Sequence, residues 1–194
     1  MNRSRKAVYL LLLALTAGCS DSGSGILERL DQKGQAAIAA RSAMVEYLSD
    51  SSESERLLKE VEATLREKND RLSKNQNVDD LESKSMKLLE SMQVLNDRGE
   101  ALGKTLAKTV VDYYSFLASV SETCGDEELD VSVIERVIPT KSYVEPGGKN
   151  VEQLFWESKW GYDDELQSPD GHPDCEAAIP RIAEGKALLE NRLT

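Results

Sequence analysis

The chain reads as an all-α protein, an elongated antiparallel helical bundle or coiled coil built on one long central helix. Three observations predict this. Core-register positions Leu81, Ser85, Leu88, Met92, Leu95, Gly99, Leu102, Leu106, Thr109, Tyr113, Phe116 and Val120 alternate steps of four and three for more than five heptads, and nine of the twelve are apolar. Two shorter amphipathic segments precede that run. The prolines (Pro139, Pro146, Pro169, Pro173 and Pro180) all follow Cys124, so no proline interrupts the first two thirds of the chain.

The first helix carries Leu27, Leu30, Gly34, Ala37, Arg41, Met44 and Leu48 at alternating steps, widened by Ile26, Ile38 and Val45, and stops at Ser49-Asp50-Ser51-Ser52. Ser52 with Glu55 three residues on has the form of a capping box that starts the second helix. That helix places Leu58, Val61, Leu65, Lys68 and Leu72 on one stripe and ends at Asn75-Gln76-Asn77. Asn77 is suited to cap the third helix, with Asp79 and Asp80 in a first turn whose dipole favours acids. The third helix, over residues 78–123, spans roughly 69 Å at 1.5 Å per residue. Gly99 and Gly103 sit inside it one turn apart, each costing about 1 kcal/mol against alanine. A closely approaching partner helix or a bend would explain them, and close approach is preferred.

Beyond Cys124-Gly125 the chain breaks into short pieces. Residues 127–138 suit a short helix, although Leu129-Asp130-Val131-Ser132-Val133 also alternates like a strand. Asn150 caps a helix expected to run through Trp160 and stop at Gly161. A final helix starts near Pro173 and carries Cys175, Ile179, Ile182, Lys186, Leu189 and Leu193, with Pro180 either kinking it or opening a new first turn.

Composition narrows the function. With 24 Lys and Arg against 35 Asp and Glu the net charge is −11, which excludes a basic nucleic-acid binder. Residues 1–18 form a signal: Arg3, Arg5 and Lys6, then the apolar run Ala7–Leu15, too short to span a bilayer, then Thr16-Ala17-Gly18 before Cys19. This ending resembles the lipobox of bacterial lipoproteins, with Thr16 where that family prefers leucine or another aliphatic residue. The resemblance covers the signal alone. It implies that Cys19 is lipidated, becomes the first residue, and holds the protein to the cell envelope; two or more acyl chains make such an anchor stable. By the enteric sorting rule Ser20 favours the outer membrane, facing the periplasm, while Asp21 keeps inner-membrane retention open. Without the signal the charge is −14. Ser20-Asp21-Ser22-Gly23-Ser24-Gly25 reads as a flexible tether of about 13 Å. The expected divisions are therefore a signal (1–18), a lipidated tether (19–25), a long-helix bundle (26–124) and a loop-rich helical region (125–194) packing back on it.

An exported protein with two further cysteines is expected to bond Cys124 to Cys175. Helix lengths suggest that the first two helices cover only the first half of the third, leaving 102–123 to be covered by the last helix running antiparallel from the disulfide. The competing solution is self-association through the long helix.

No catalytic residue, metal ligand or cofactor stands out. His172 is the only histidine, in Asp170-Gly171-His172-Pro173-Asp174-Cys175, and reads as a loop residue rather than a metal ligand. Asp163-Asp164-Glu165 lacks the spacing of a calcium loop and reads as a solvated acidic turn. The candidate partner surface is Phe155, Trp156, Trp160 and Tyr162, four of the nine aromatics left after the signal, which either fill the C-terminal core or form a binding hot spot. These features point to a membrane-anchored, non-catalytic interaction or scaffold module. A second expectation is an inhibitor or immunity protein whose acidity steers a basic partner acting in the periplasm. An envelope hydrolase working through carboxylates has the least support.

Overall fold

The computed structural model describes residues 22–50, 52–126, 129, 131–138, 149–168 and 171–191, and the signal and Cys19 lie outside them. The described residues form six helices and no strand: α1 (Ser22–Ser49), α2 (Ser52–Ser73), α3 (Asp79–Thr123), α4 (Ser132–Val137), α5 (Val151–Leu166) and α6 (Cys175–Asn191). The all-α expectation holds, with 45-residue α3 as the central element.

Helix ends follow local chemistry. At the end of α2, Asn75 takes a left-handed backbone (φ 52°), Gln76 N–H donates to Arg71 O and Asn75 N–H to Leu72 O. Gly125 (φ 68°) closes α3 the same way, with Asp126 N–H donating to Ser121 O and Gly125 N–H to Glu122 O. Both are Schellman closures, which satisfy carbonyls that a helix end otherwise leaves bare. Asn77 is one residue off the expected cap: Val78 holds that position, and Asn77 Oδ1 accepts the Asp79 N–H at 2.7 Å from just outside. Ser52 is itself the first residue of α2, its hydroxyl donating to Asp50 at 2.6 Å. Asn150 caps α5 through a reciprocal box with Gln153. However, α5 does not stop at Gly161 but runs to Leu166, because Tyr162 and the fully buried Leu166 pack beyond the glycine and outweigh its propensity cost. Likewise α1 starts at Ser22, so Ser22–Gly25 extend the helix rather than the tether.

The largest departure concerns α1 and α2. They do not lie side by side on the first half of α3; they follow one another along it, antiparallel. Tyr47 near the end of α1 reaches Leu95 O at 2.8 Å, and Gly34 lies against the Tyr113 ring, so α1 covers the second half. Lys68 pairs with Glu82 at 2.7 Å and Arg71 with Asp80 at 2.9 Å, so α2 covers the first. Small residues decide this placement. Gly34, Ala37 and Ala40 are buried on α1 and let it approach the bulky stretch of α3, while the five-residue connection between α2 and α3 keeps α2 on the first half. At Gly99 a Cβ would stand 2.7–2.9 Å from the Tyr47 ring and hydroxyl, so close approach is the reason for that glycine.

From Val110 to Ser121 almost every α3 residue is buried, enclosed by α1, α4, α5 and α6. Ser115 and Ser119, one turn apart, let α5 lie close and parallel to α3, donating to Phe155 O at 3.1 Å and Lys159 O at 3.2 Å. Cys124 and Cys175 form the expected disulfide (Cα–Cα 5.2 Å), and α6 runs antiparallel to α3 with Ile182 and Leu189 buried. Asp174 precedes α6 and accepts from Ala177 N–H, and the helix continues through Pro180. Ile179, expected in the core stripe, is half exposed instead.

The seam of α2 is turned by one residue from the expected stripe. Leu57 and Thr64 are buried, whereas Leu58, Leu65 and Leu72 are about half exposed. The α2 segment and residues 79–99 of α3 thus form a two-helix hairpin that extends beyond the multi-helix body.

Candidate binding surfaces

The C-terminal aromatic cluster divides. Phe155 is buried, stacked edge-on with Trp156 at 5.1 Å and tilted against Tyr114 at 5.7 Å. Tyr162 meets Phe116 edge-on at 4.9 Å. Three of the four aromatics therefore join the core or its margin, and Trp160 alone, 62% exposed, faces outward. A hollow of about 290 Å³ lies beside Trp156, lined also by Phe155, Lys159, Ala118, Glu122 and Leu129. Lys159 is nearly buried, and burial alone would lower its pKa; hydrogen bonds to Asp163 and Glu122 reverse that and keep it charged.

A polar network joins α1, α3 and α5. Lys33 Nζ donates to Asp112 Oδ2 at 2.6 Å and to Tyr162 Oη at 2.8 Å, and Tyr162 Oη in turn donates to Asp112 Oδ1. Arg29 grips Glu165 with both guanidinium nitrogens while lying 4.8 Å from the centre of the Phe116 ring. That grip holds the Glu165 carboxyl below its ordinary pKa. Burial opposes the charge on Lys33, but the bonds to Asp112 and Tyr162 raise its pKa overall. The network is satisfied internally, which suits a staple between helices. Sequence reasoning missed it; the available signal was Asp112, the only acid between Glu100 and Glu122.

Asp163, Asp164 and Glu165 are not a turn but the last part of α5, where Asp163 and Glu165 are already engaged by Lys159 and Arg29. His172 is exposed, its Nδ1 3.2 Å from Pro173 O. Among the described residues no group of three or more His, Cys, Asp or Glu could hold a metal ion.

A second, wider groove lies elsewhere. Between α1 and α6, which run parallel here, a groove of about 640 Å³ is walled by Leu30, Asp31, Gln35, Arg181, Glu184 and Leu188. Tyr113 forms its floor. Gly34 and Gly185 flank the phenol: a Cβ at Gly185 would fall 2.6 Å from its oxygen, and one at Gly34 would fall 3.3 Å from its ring. Arg181 pairs with Asp31 at 2.7 Å across the groove. No family model, curated protein or solved structure matches this chain. The groove's reading therefore rests on its own chemistry, an acidic-rimmed slot with a phenol at its base.

Burial, then the carboxylates of Asp31 and Glu184, push Tyr113 up to about 12. An unfolded tyrosine ionises near pH ~10. Between those values the unfolded chain releases a proton that the folded chain keeps. The stabilisation is complete below pH ~10 and lost as pH rises toward 12, about 2–3 kcal/mol in all. Urea unfolding at pH ~9, ~10.5 and ~11.5 should show this decline, and Tyr113→Phe should flatten it.

Proposed function

We propose that this protein is a membrane-anchored lipoprotein of the bacterial cell envelope, facing the periplasm and held through Cys19, that works by binding proteins rather than by catalysis. The observation that carries the reading is the order of anchor and rod. Helix α1 begins three residues after Cys19, and α1 and α2 follow one another along α3. Their 28 and 22 residues rise about 75 Å, which sets the Asn75 end of the hairpin far from the lipidated cysteine. A stiff element that carries a surface away from a bilayer is the expected form of a spacer or scaffold. The mature charge of −14 adds repulsion from anionic headgroups and favours an upright pose.

A second reading, an inhibitor or immunity protein, is supported by the Tyr113 groove. Its rim carries Asp31 and Glu184 against the single cation Arg181, a charge balance that favours a basic side chain from a partner.

Site-specific photocrosslinking in cells tests both. Photoreactive residues at Gln76, beside the hairpin tip, should capture a defined envelope protein if the scaffold reading holds. Capture from Gln35, in the groove, of a basic secreted enzyme or toxin would favour the inhibitor reading. Radiolabelled palmitate should enter the wild-type chain and not Cys19→Ser; failure to label the wild type would remove the anchor.

A further inference from the structure

Tyr113 is only 3% exposed, yet its hydroxyl makes no hydrogen bond among the described residues. Tyr47 and Tyr162, by contrast, bond Leu95 O and Asp112. A buried hydroxyl without a partner is costly and rare in native cores. This one is not sealed in, because it stands at the floor of the α1–α6 groove. Gly185 keeps the way to it clear, since a Cβ there would fall 2.6 Å from the phenol oxygen.

The groove walls are ordered along its length. The parallel helices α1 and α6 are set level by the Arg181–Asp31 pair at 2.7 Å. Counting up both helices puts Gly34 level with Glu184 and Gly185, and Ile38 level with Leu188. An ionic clasp thus closes one end, the phenol and Glu184 occupy the middle, and an apolar end follows about 6 Å further on. The clasp neutralises Asp31. Glu184 has no cation within ion-pair distance among the described residues, so it supplies the unbalanced charge. Burial and then the charges of Asp31 and Glu184 hold the phenol in its protonated form through the neutral range.

We propose that this groove binds a primary alkylammonium, its nitrogen donating to the Tyr113 oxygen and the Glu184 carboxylate and its carbon chain lying against Ile38 and Leu188. An ammonium carries three donors on one compact charge. Phenol, carboxylate and the Gln35 amide at the rim offer it single acceptors from different sides. A guanidinium is best met by two oxygens of one carboxylate, a quaternary ammonium has no donor for the phenol, and an anion would meet Glu184 uncompensated. The apolar end lies within reach of the four-carbon stem of a lysine, or of a free aliphatic amine of like length. The proposal rests on the same groove chemistry as the inhibitor reading, and the two fail separately. Amine binding without capture at Gln35 removes the inhibitor alone, and capture without amine binding removes the ammonium site alone.

The test is nuclear magnetic resonance on the full-length chain carrying Cys19→Ser, with Cys124 and Cys175 left bonded. The amide signals of Gly34 and Gly185 are followed while pentylammonium is added to about 50 mM. They should shift saturably, with a dissociation constant on the order of 1 mM, as suits a ligand of about six heavy atoms. Tyr113→Phe, which removes one oxygen and keeps the ring, and Glu184→Gln should each weaken binding about tenfold. Glu176→Gln, which removes the same charge from the first turn of α6, should leave it within twofold. Pentyltrimethylammonium, with the same chain and charge but no N–H, should bind about tenfold more weakly or worse. Because Glu184 is exposed, Glu184→Gln tests the site even where loss of the Tyr113 oxygen alters packing. Nα-acetyl-lysine-N-methylamide binding at least as tightly as pentylammonium assigns the ammonium to a lysine of a polypeptide, and weaker binding assigns it to a free amine. No saturable shift, equal binding of pentyltrimethylammonium, or full affinity in Glu184→Gln or Tyr113→Phe overturns the proposal. So does an equal loss in Glu176→Gln, which would mean only a general attraction of cations to an acidic chain.

Discussion

Replacing Phe116 with alanine should destabilise the protein by about 3–5 kcal/mol, read as a lower urea midpoint with an unchanged slope. The ring is fully buried in the stretch of α3 that α1, α4, α5 and α6 enclose, so its loss leaves a cavity whose walls are fixed from several sides. It also supports polar groups. Tyr162 meets it edge-on at 4.9 Å, Arg29 lies 4.8 Å from its centre and Lys33 5.7 Å. Those three side chains carry the network that ties α1 to α3 and α5. Phe116→Leu separates the contributions, because it keeps most of the volume but removes the negatively charged ring face. It should cost about 1–2 kcal/mol, made of a small packing loss and about 0.5–1 kcal/mol for a partly exposed cation contact. A Phe116→Ala cost under about 1 kcal/mol would mean that the body closes over the gap, and the enclosed-core account would fail.

Much of this arrangement could be read in the residues, and the misses have physical causes. The α3 heptads were legible because a long, regular period has few competing explanations. The hairpin seam was misjudged because Leu57 and Leu58 are adjacent and equivalent by hydropathy. Thr64, which is buried with its hydroxyl bonded to Glu60 O at 2.7 Å, looks polar and loses to Leu65 in any sequence pattern. The buried stripe is the face of α2 that carries Leu57 and Thr64, not the greasier one that carries Leu58, Leu65 and Leu72. The placement of α1 failed for a different reason. Helix lengths constrain what can be covered, but which half of α3 receives α1 depends on small residues meeting large ones, Gly34 against Tyr113 and Gly99 against Tyr47.

The polar features divide along the same line. Asn150 with Gln153 is a local motif and was visible as a helix start. The Lys33–Asp112–Tyr162 network joins residues 79 and 129 positions apart, and no spacing announces it. Ser115 and Ser119 look like unremarkable small residues until α5 is laid beside them. The aromatic cluster was read as one unit, yet helix geometry parts it: Phe155, Trp156 and Tyr162 turn toward α3 or its margin and Trp160 turns away. The groove over Tyr113 was invisible for the same reason, since its two glycines come from helices separated by most of the chain.

Removing the disulfide should have an effect of similar size to Phe116→Ala, but through the unfolded state. Cys124 and Cys175 are 51 positions apart, and closing a loop of that length removes about 4 kcal/mol of chain entropy from the denatured ensemble. For a chain of this size that corresponds to a melting temperature lower by about 8–16 °C in the double variant Cys124→Ser/Cys175→Ser. The location sharpens the prediction. Cys124 is held by the Schellman closure at Gly125, and Cys175 is the first residue of α6, so the bond fixes the point from which α6 descends along α3. Below that point α6 is retained by buried Ala178, Ile182 and Leu189 and by the Lys186–Asp126 pair at 2.9 Å. Without the bond, these contacts must hold a 17-residue helix that also contains Pro180, which lacks one backbone donor. Hydrogen exchange should therefore show loss of protection first in α6, with α3 residues 106–121 opening only with global unfolding. A reduced protein that melts within about 3 °C of the oxidised one would show that α6 docks without its staple, and the loop-entropy account would fail for this chain.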